Sequence, residues 1–253
     1  ISFGLLPVII RLAHRYKWYD LPDNQRKIHT GLIPRMGGTS IFIAFFSSLF
    51  LAPLLSSLIS ESRISLLSST RFVPVFAGAL LAYLVGLYDD FRNLRALLKF
   101  FLQLLAAAIV AGGGFLISSF SLPYMGTIHL GLLAYPVTIF WIVGIANAVN
   151  LIDGMDGLAS GIAAIASLSM GVIAIIQGVP QTAILALALF GALVGFLAHN
   201  FPPAKIFMGD SGSLFVGFVL AVLPLMGISK ASAFGTLIVP VTLLTVPILD
   251  TAT

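Results

Sequence analysis

Residues 147–161 read NAVNLIDGMDGLASG and carry two amides, Asn147 and Asn150, two carboxylates, Asp153 and Asp156, and the glycines Gly154, Gly157 and Gly161. Oxygen donors without histidine or cysteine suit Mg2+ or Mn2+ rather than zinc. Asn147 and Asn150 are three residues apart and share one face of a helix. The glycines let the backbone pass close to a ligand. The flanks, YPVTIFWIVGIA and IAAIASLSMGVIAII, are almost wholly apolar, and polar groups in such a setting are costly unless they do something. A glycine-rich interhelical turn with surface acids is the plainer reading, but it leaves the two asparagines without a reason.

Two further clusters carry chemistry. Asp89 and Asp90 stand where an apolar run ends, and Asn93, Arg95 and Lys99 follow within three helical turns. A helix C-terminus already bears partial negative charge, so two acids there call for a cation. Arg95 and Lys99 suit oxyanions, and phospholipid headgroup anchoring is the simpler use for them. Later comes Lys205-Ile206-Phe207-Met208-Gly209-Asp210, just before another apolar run. Asp210 is placed to cap a helix or to hold a cation. Lys205 is suited to a phosphate or to snorkelling, and Phe207 to a flat base or to the core. His14, His29, His129 and His199 lack metal-ligand spacing, and there is no Walker loop or GxGxxG.

The elements that must position these groups are membrane helices. The chain has 253 residues, 59% hydrophobic and 9% charged, with mean hydropathy +1.09; soluble domains carry about 25% charged residues. Continuous apolar runs near the ~20 residues needed to cross hydrocarbon point to helices rather than a barrel. The expected fold is therefore an all-α polytopic membrane bundle of about nine segments, in a single integral-membrane domain over 1–253, with both ends apparently cut. The predicted helices are a partial one at 1–10, then 38–59, 72–88, 97–118, 133–150, 157–177, 181–198, 212–228 and 233–250. Residues 119–132 read as a loop or small hairpin. With no cysteine there is no disulfide and no thiolate site.

Counting crossings from the basic segment 11–36 returns Asp89-Asp90, Asn150 to Asp156, Lys205 to Asp210 and Asp250 to one face. That face holds every basic residue except Arg63, Arg71 and Lys230, and every acid except Glu61. The basic residues make it cytoplasmic. Acids contribute little to orientation, so their gathering there is better explained by a site.

Four blocks, KIHTGLIPRMGG (27–38), DDFRNLRALLK (89–99), NAVNLIDGMDGLASG (147–161) and KIFMGDSGS (205–213), resemble in order and spacing the polyprenyl-phosphate N-acetylhexosamine-1-phosphate transferases of the WecA/TagO and MraY type. The resemblance spans nearly the whole chain. PRMGG and NAVNLIDGMDG are more similar to the N-acetylglucosamine 1-phosphate branch than to the phospho-MurNAc-pentapeptide translocases. It implies Mg2+-dependent transfer of a sugar 1-phosphate from a UDP-N-acetylhexosamine to undecaprenyl phosphate, releasing UMP. The setting it implies is the bacterial plasma membrane, with the active site on the cytoplasmic face. The step would open cell-envelope polysaccharide synthesis, with no nucleic-acid partner; a homodimer is compatible with it. By position, the resemblance makes Asp210 and Asn150 metal-binding and puts Asp89, Asp90 and Lys99 at the catalytic centre. It makes Asn93, Arg95, Asn147, Asp153, Gly154, Asp156, Lys205 and Phe207 substrate-binding, with Phe207 on the uracil. Asn93 stands where the family's DDxxD pattern has its third acid. The family's histidine-rich cytoplasmic loop would fall beyond Thr253, along with the last helices.

Two other classes use similar residues. Tyr88-Asp89 with Gly209-Asp210 resembles the paired motifs of intramembrane aspartyl proteases, although Phe207 replaces the first glycine of the second. An ion-coupled transporter also uses intramembrane acids. The first gives Asn147 to Asp156 no task; against the second, the polar groups cluster at helix ends on one side and the chain shows no matching halves.

Overall fold

A computed structural model describes residues 1–16, 18, 33–59, 70–122 and 126–227, with the side chains of 52–59, 120–122 and 126 left aside. The expected ninth helix at 233–250, Lys230 and Asp250, and most of the loops at 17–32 and 60–69, with Glu61 and Arg63, lie outside the described residues. The described part is an all-α membrane bundle. Its helices are α1 (Ser2–Tyr16), α2 (Gly37–Ile59), α3 (Val73–Arg92), α4 (Ala96–Gly112), α5 (Ala134–Ile152), α6 (Leu158–Ile176), α7 (Pro180–Asn200) and α8 (Gly209–Gly227). Five spans, at 70–92, 131–152, 158–176, 180–200 and 209–227, are long and apolar enough to cross a bilayer.

The prolines and glycines punctuate the chain as their geometry requires. Proline stands in the first turn of α3 and at the start of α7, where its missing N–H is not needed. Asn93 adopts a left-handed conformation (φ 47°) and ends α3 with its N–H on the Asp89 carbonyl, a C-terminal stop that asparagine tolerates. Between α4 and α5, strand β1 (Ser119–Leu122) pairs antiparallel with β2 (Gly126–His129), Ser119 opposite His129. This is the hairpin expected at 119–132.

Helix α8 is the axis of the bundle. Its most apolar stretch is 94% buried, against 44–50% for α3, α5, α6 and α7. A helix that is apolar all round belongs in an interior, and α8 packs against α2, α3, α5, α6 and α7. On one side Phe42 stacks on Tyr83 with ring centres 4.0 Å apart, and Phe42 and Phe45 meet Phe215 edge-on. On another the Trp141 indole donates to the Ala221 carbonyl at 3.0 Å. The outer faces of α4 and α5 present Leu97, Phe101, Phe140 and Leu151, as a lipid-facing surface would.

Several boundaries differ from those expected. Helix α1 continues to Tyr16 instead of stopping at 10. Helix α4 ends at Gly112 rather than 118, because Gly112-Gly113-Gly114 offers three poor helix formers in succession. The chain then turns so that the Ile117 N–H meets the Thr138 hydroxyl. Helix α3 runs through Asp89 and Asp90 to Arg92, and α8 begins at Gly209. The acids therefore lie within terminal helical turns, not in loops beside them.

Candidate active site

The C-terminus of α3 meets the N-terminus of α8, and this contact orders the polar end of the bundle. Asp90 reaches across from α3, and its two oxygens accept the backbone N–H groups of Asp210 (2.8 Å) and Ser211 (3.0 Å). The partial positive charge of one helix end thereby answers an acid on the partial negative end of another. Such proximity needs residues without side chains. A Cβ on Gly86 would collide with the backbone of Asp210 and Ser211, and one on Gly38 with the backbone of Gly212. Gly209 has φ 72° and lies against the Asp90 carboxylate.

Asp90 takes the capping role the sequence suggested for Asp210. The Asp210 carboxylate faces elsewhere: Oδ2 lies 2.5 Å from Lys99 Nζ on α4, and Oδ1 accepts from Asn150 Nδ2 on α5 at 2.8 Å. The same Asn150 nitrogen donates to the Ser213 hydroxyl at 2.8 Å. Lys99 also holds Asp89 Oδ2 at 2.8 Å, and Asp89 Oδ1 accepts the Leu94 N–H at 2.5 Å. One ammonium thus bridges two carboxylates from different helices.

Asp153 follows α5 and looks into the same cluster. Burial, with added like charge from Asp210 and Asp90, holds its carboxyl well above the usual carboxylate range, and Arg35 opposes that rise. Arg35 is brought in by the segment 34–38, which runs beside 207–208. Phe207 N–H donates to the Pro34 carbonyl (2.8 Å), Gly37 N–H to Phe207 (2.9 Å) and Gly38 N–H to Met208 (2.8 Å).

A second junction joins α6 to α7. Asn200, 3% exposed, accepts from the Gly157 N–H (3.1 Å) and the Ser160 hydroxyl (2.8 Å), and donates to the Ile206 carbonyl (3.0 Å). Asp156 accepts the Ala204 N–H at 3.0 Å. These bonds tie the DGMDG turn to the segment carrying Phe207 and Asp210.

The structure thus brings Asp89, Asp90, Lys99, Asn150 and Asp210 into one bonded set, with Asp153 facing it. Asn147 is engaged otherwise: its amide pairs with Gln103 on α4. Asn93 and Arg95 are exposed at the α3–α4 junction, and Gly154 and Lys205 are exposed too, while Phe207 is half-buried. Sequence reading did not single out Gln103, Asn200, Ser160, Ser211 or Ser213 individually, and it took Arg35 only as a charge of the 11–36 segment and as part of the PRMGG block. Asn200 lies between the helices predicted at 181–198 and 212–228, and Ser213 lies inside the KIFMGDSGS block, so proximity to Asp210 was the available signal.

Among the described residues no three histidine, cysteine or acidic side chains form a ready-made metal cluster. The oxygens of Asp210 and Asp153 and the Asn150 carbonyl are nevertheless hard donors. One or two carboxylates with an amide, completed by water and phosphate, is the set Mg2+ favours.

The sequence matches the profile of glycosyl transferase family 4 over residues 72–228. It is 39% identical over 248 residues to a probable undecaprenyl-phosphate N-acetylglucosaminyl 1-phosphate transferase of Bacillus subtilis (strain 168), covering 98% of this chain and 66% of that protein. It is also 39% identical over 219 residues to a phospho-N-acetylmuramoyl-pentapeptide-transferase of Streptococcus pneumoniae strain D39, covering 80% of this chain and 61% of that protein. The chain thus spans just under two thirds of the length of these relatives.

Proposed function

Because the chain belongs to glycosyl transferase family 4, we propose that it transfers N-acetylglucosamine 1-phosphate from its UDP-sugar to undecaprenyl phosphate and releases UMP. An oxygen of the lipid phosphate forms a bond to the sugar-bearing phosphorus. The bond from that phosphorus to the bridging oxygen breaks, and UMP leaves with the electron pair. The observation that carries this reading is the Lys99 ammonium set between Asp89 and Asp210, at the ends of membrane helices. Such a position is open both to a water-soluble nucleotide and to a phosphate anchored in lipid.

Both substrates are anionic, so charge is the obstacle. Asp210, Asn150 and Asp153 would hold Mg2+ or Mn2+, which when bound supplies charge neutralisation of the diphosphate. Lys99 offers its ammonium to the transferring phosphoryl group as its bonds to the two carboxylates loosen. The acceptor is a phosphate monoester with second pKa about 6, already mostly dianionic at pH 7, so it needs little help from a base. Asp89 then orients Lys99, and Asp90 fixes the start of α8. Arg95 and Asn93 stand at the rim where anionic groups arrive. The turn 153–157 and Phe207 form the nucleotide side.

The choice of sugar follows the Bacillus subtilis relative, which aligns over nearly the whole chain, as the PRMGG and NAVNLIDGMDG blocks do in kind. The test offers membranes containing the protein undecaprenyl phosphate with either UDP-N-acetylglucosamine or UDP-MurNAc-pentapeptide. UMP release with the first, abolished by EDTA and restored by Mg2+, is expected. Release with only the second would move the assignment to the translocase branch; release with neither, or release persisting in EDTA, would overturn the reading.

A further inference from the structure

One helical turn inside the bilayer from the charged cluster, α4 and α5 are joined by two amides. Asn147 Nδ2 donates to Gln103 Oε1 at 2.6 Å and to its own helix at the Val143 carbonyl at 2.8 Å. Gln103 Nε2 returns a longer bond to Asn147 Oδ1 at 3.4 Å. Gln103 is 5% exposed. Its surroundings on α4, KFFLQLLAAAIV, are otherwise apolar beyond Lys99.

The spacing ties this pair to the site. Gln103 is four residues after Lys99, and Asn147 three before Asn150, so each amide lies one turn below a group that holds Asp210. Lys99 grips one Asp210 oxygen from α4 and Asn150 grips the other from α5. Both grips hold only if the two antiparallel helices keep one axial register. Apolar contacts permit sliding, whereas a directional amide pair permits one register. Hydrogen bonds between membrane helices are individually weak, and an apolar pair of the same shape can serve stability as well. Geometry is therefore the better reason for two buried amides.

We infer that Gln103 and Asn147 form a positioning strut that sets the register of α4 against α5, so that Lys99 and Asn150 reach Asp210 together. This moves Asn147 from contact with substrate to action through Gln103. The inference rests on the proposed transfer reaction for its kinetic arm, and a second arm does not depend on that reaction.

The chain lacks cysteine, so paired spin labels can be placed at Leu97 and Phe140, exposed by 74% and 64% on the outer faces of α4 and α5. Counted through the amide pair these positions are separated by thirteen residues of helix, about 20 Å at ~1.5 Å per residue. A slide of one helix along the other changes this distance directly. The reference protein is expected to give one narrow distance distribution. Q103L/N147L should shift or broaden it and lower kcat for UMP release at least tenfold, with unfolding temperature and KM for the UDP-sugar little changed. The swapped pair Q103N/N147Q keeps two amides and should retain the narrow distribution and most of kcat.

An unchanged distribution in Q103L/N147L would overturn the strut, whatever happens to activity. So would a Q103L protein with full activity beside an inactive N147L, which would return Asn147 to the substrate. If the reference protein releases no UMP, the proposed reaction fails and the distance measurement alone decides the strut. If Q103L/N147L cannot be purified, the swapped pair decides: a distribution that differs from the reference refutes the inference, and an unchanged one supports it.

Discussion

Two junctions at the same end of the bundle are built from opposite materials. Where α3, α4, α5 and α8 meet, the Asp89 and Asp210 carboxylates share one ammonium, and a third carboxylate, Asp90, accepts the backbone N–H groups of Asp210 and Ser211. Where α6 and α7 meet, a neutral amide and a hydroxyl bind each other and backbone groups, Asn200 has a partner for each of its side-chain polar atoms, and the Asp156 carboxylate accepts a backbone N–H. The first junction is charged and partly open, with the Asp210 side chain 33% exposed. The second is closed. A satisfied neutral network specifies shape, whereas carboxylates held by a single lysine can exchange partners when a phosphate or a cation arrives. One junction is suited to chemistry and the other to holding the turn and loop that surround it.

Substitutions can break or sharpen this contrast. The largest effect is expected from Asp210→Ala, which removes the group shared by Lys99 and Asn150. The rate of UMP release should fall about 10²–10³-fold with little change in unfolding temperature. A protein that melted instead would make Asp210 part of the scaffold. Next comes Asn200→Leu, which leaves the Gly157 N–H, the Ser160 hydroxyl and the Ile206 carbonyl without their amide partner. Each buried unpaired group costs about 1–3 kcal/mol. Thermal unfolding should therefore drop by several degrees, and KM for the UDP-sugar should rise more than kcat falls. A loss of kcat with no change in melting would give the neutral junction a chemical role.

The smallest effect tests Asp90, which sits among the charged groups yet serves a helix end. Asp90→Ala should cost about 0.5–2 kcal/mol of stability, while Asp90→Asn, which keeps one of the two acceptor oxygens and turns an amide donor toward the other N–H, should restore only part of it. Thermal melts of the two variants decide this. If Asn melts as high as the reference protein, a single accepted N–H is enough to fix the start of α8.

Much of the site was readable because a polar residue in an apolar chain is conspicuous. Asp89, Lys99, Asn150 and Asp210 stood out in this way, and counting helices by length put them on one face. Asn200 escaped notice because it follows His199 in a polar run that looked like loop, although it closes α7. Gln103 escaped because a single amide in a membrane helix carries no sign of its partner, which is 44 residues away. For Asp90 and Asp210 the types were right but the tasks were divided differently. Either could cap a helix, and only the approach of α3 to α8 shows that Asp90 does.

Sequence alone determined the membrane class, the helices and the face on which the acids gather. Those follow from hydrocarbon thickness and from residue type, which act locally along the chain. Tertiary structure decided which acid caps α8, which pair Lys99 bridges and which amide Asn147 meets. These depend on how each helix is rotated and crossed against its neighbours. That arrangement is set by packing between side chains distant in sequence, with Gly38, Gly86 and Gly212 allowing the closest approaches.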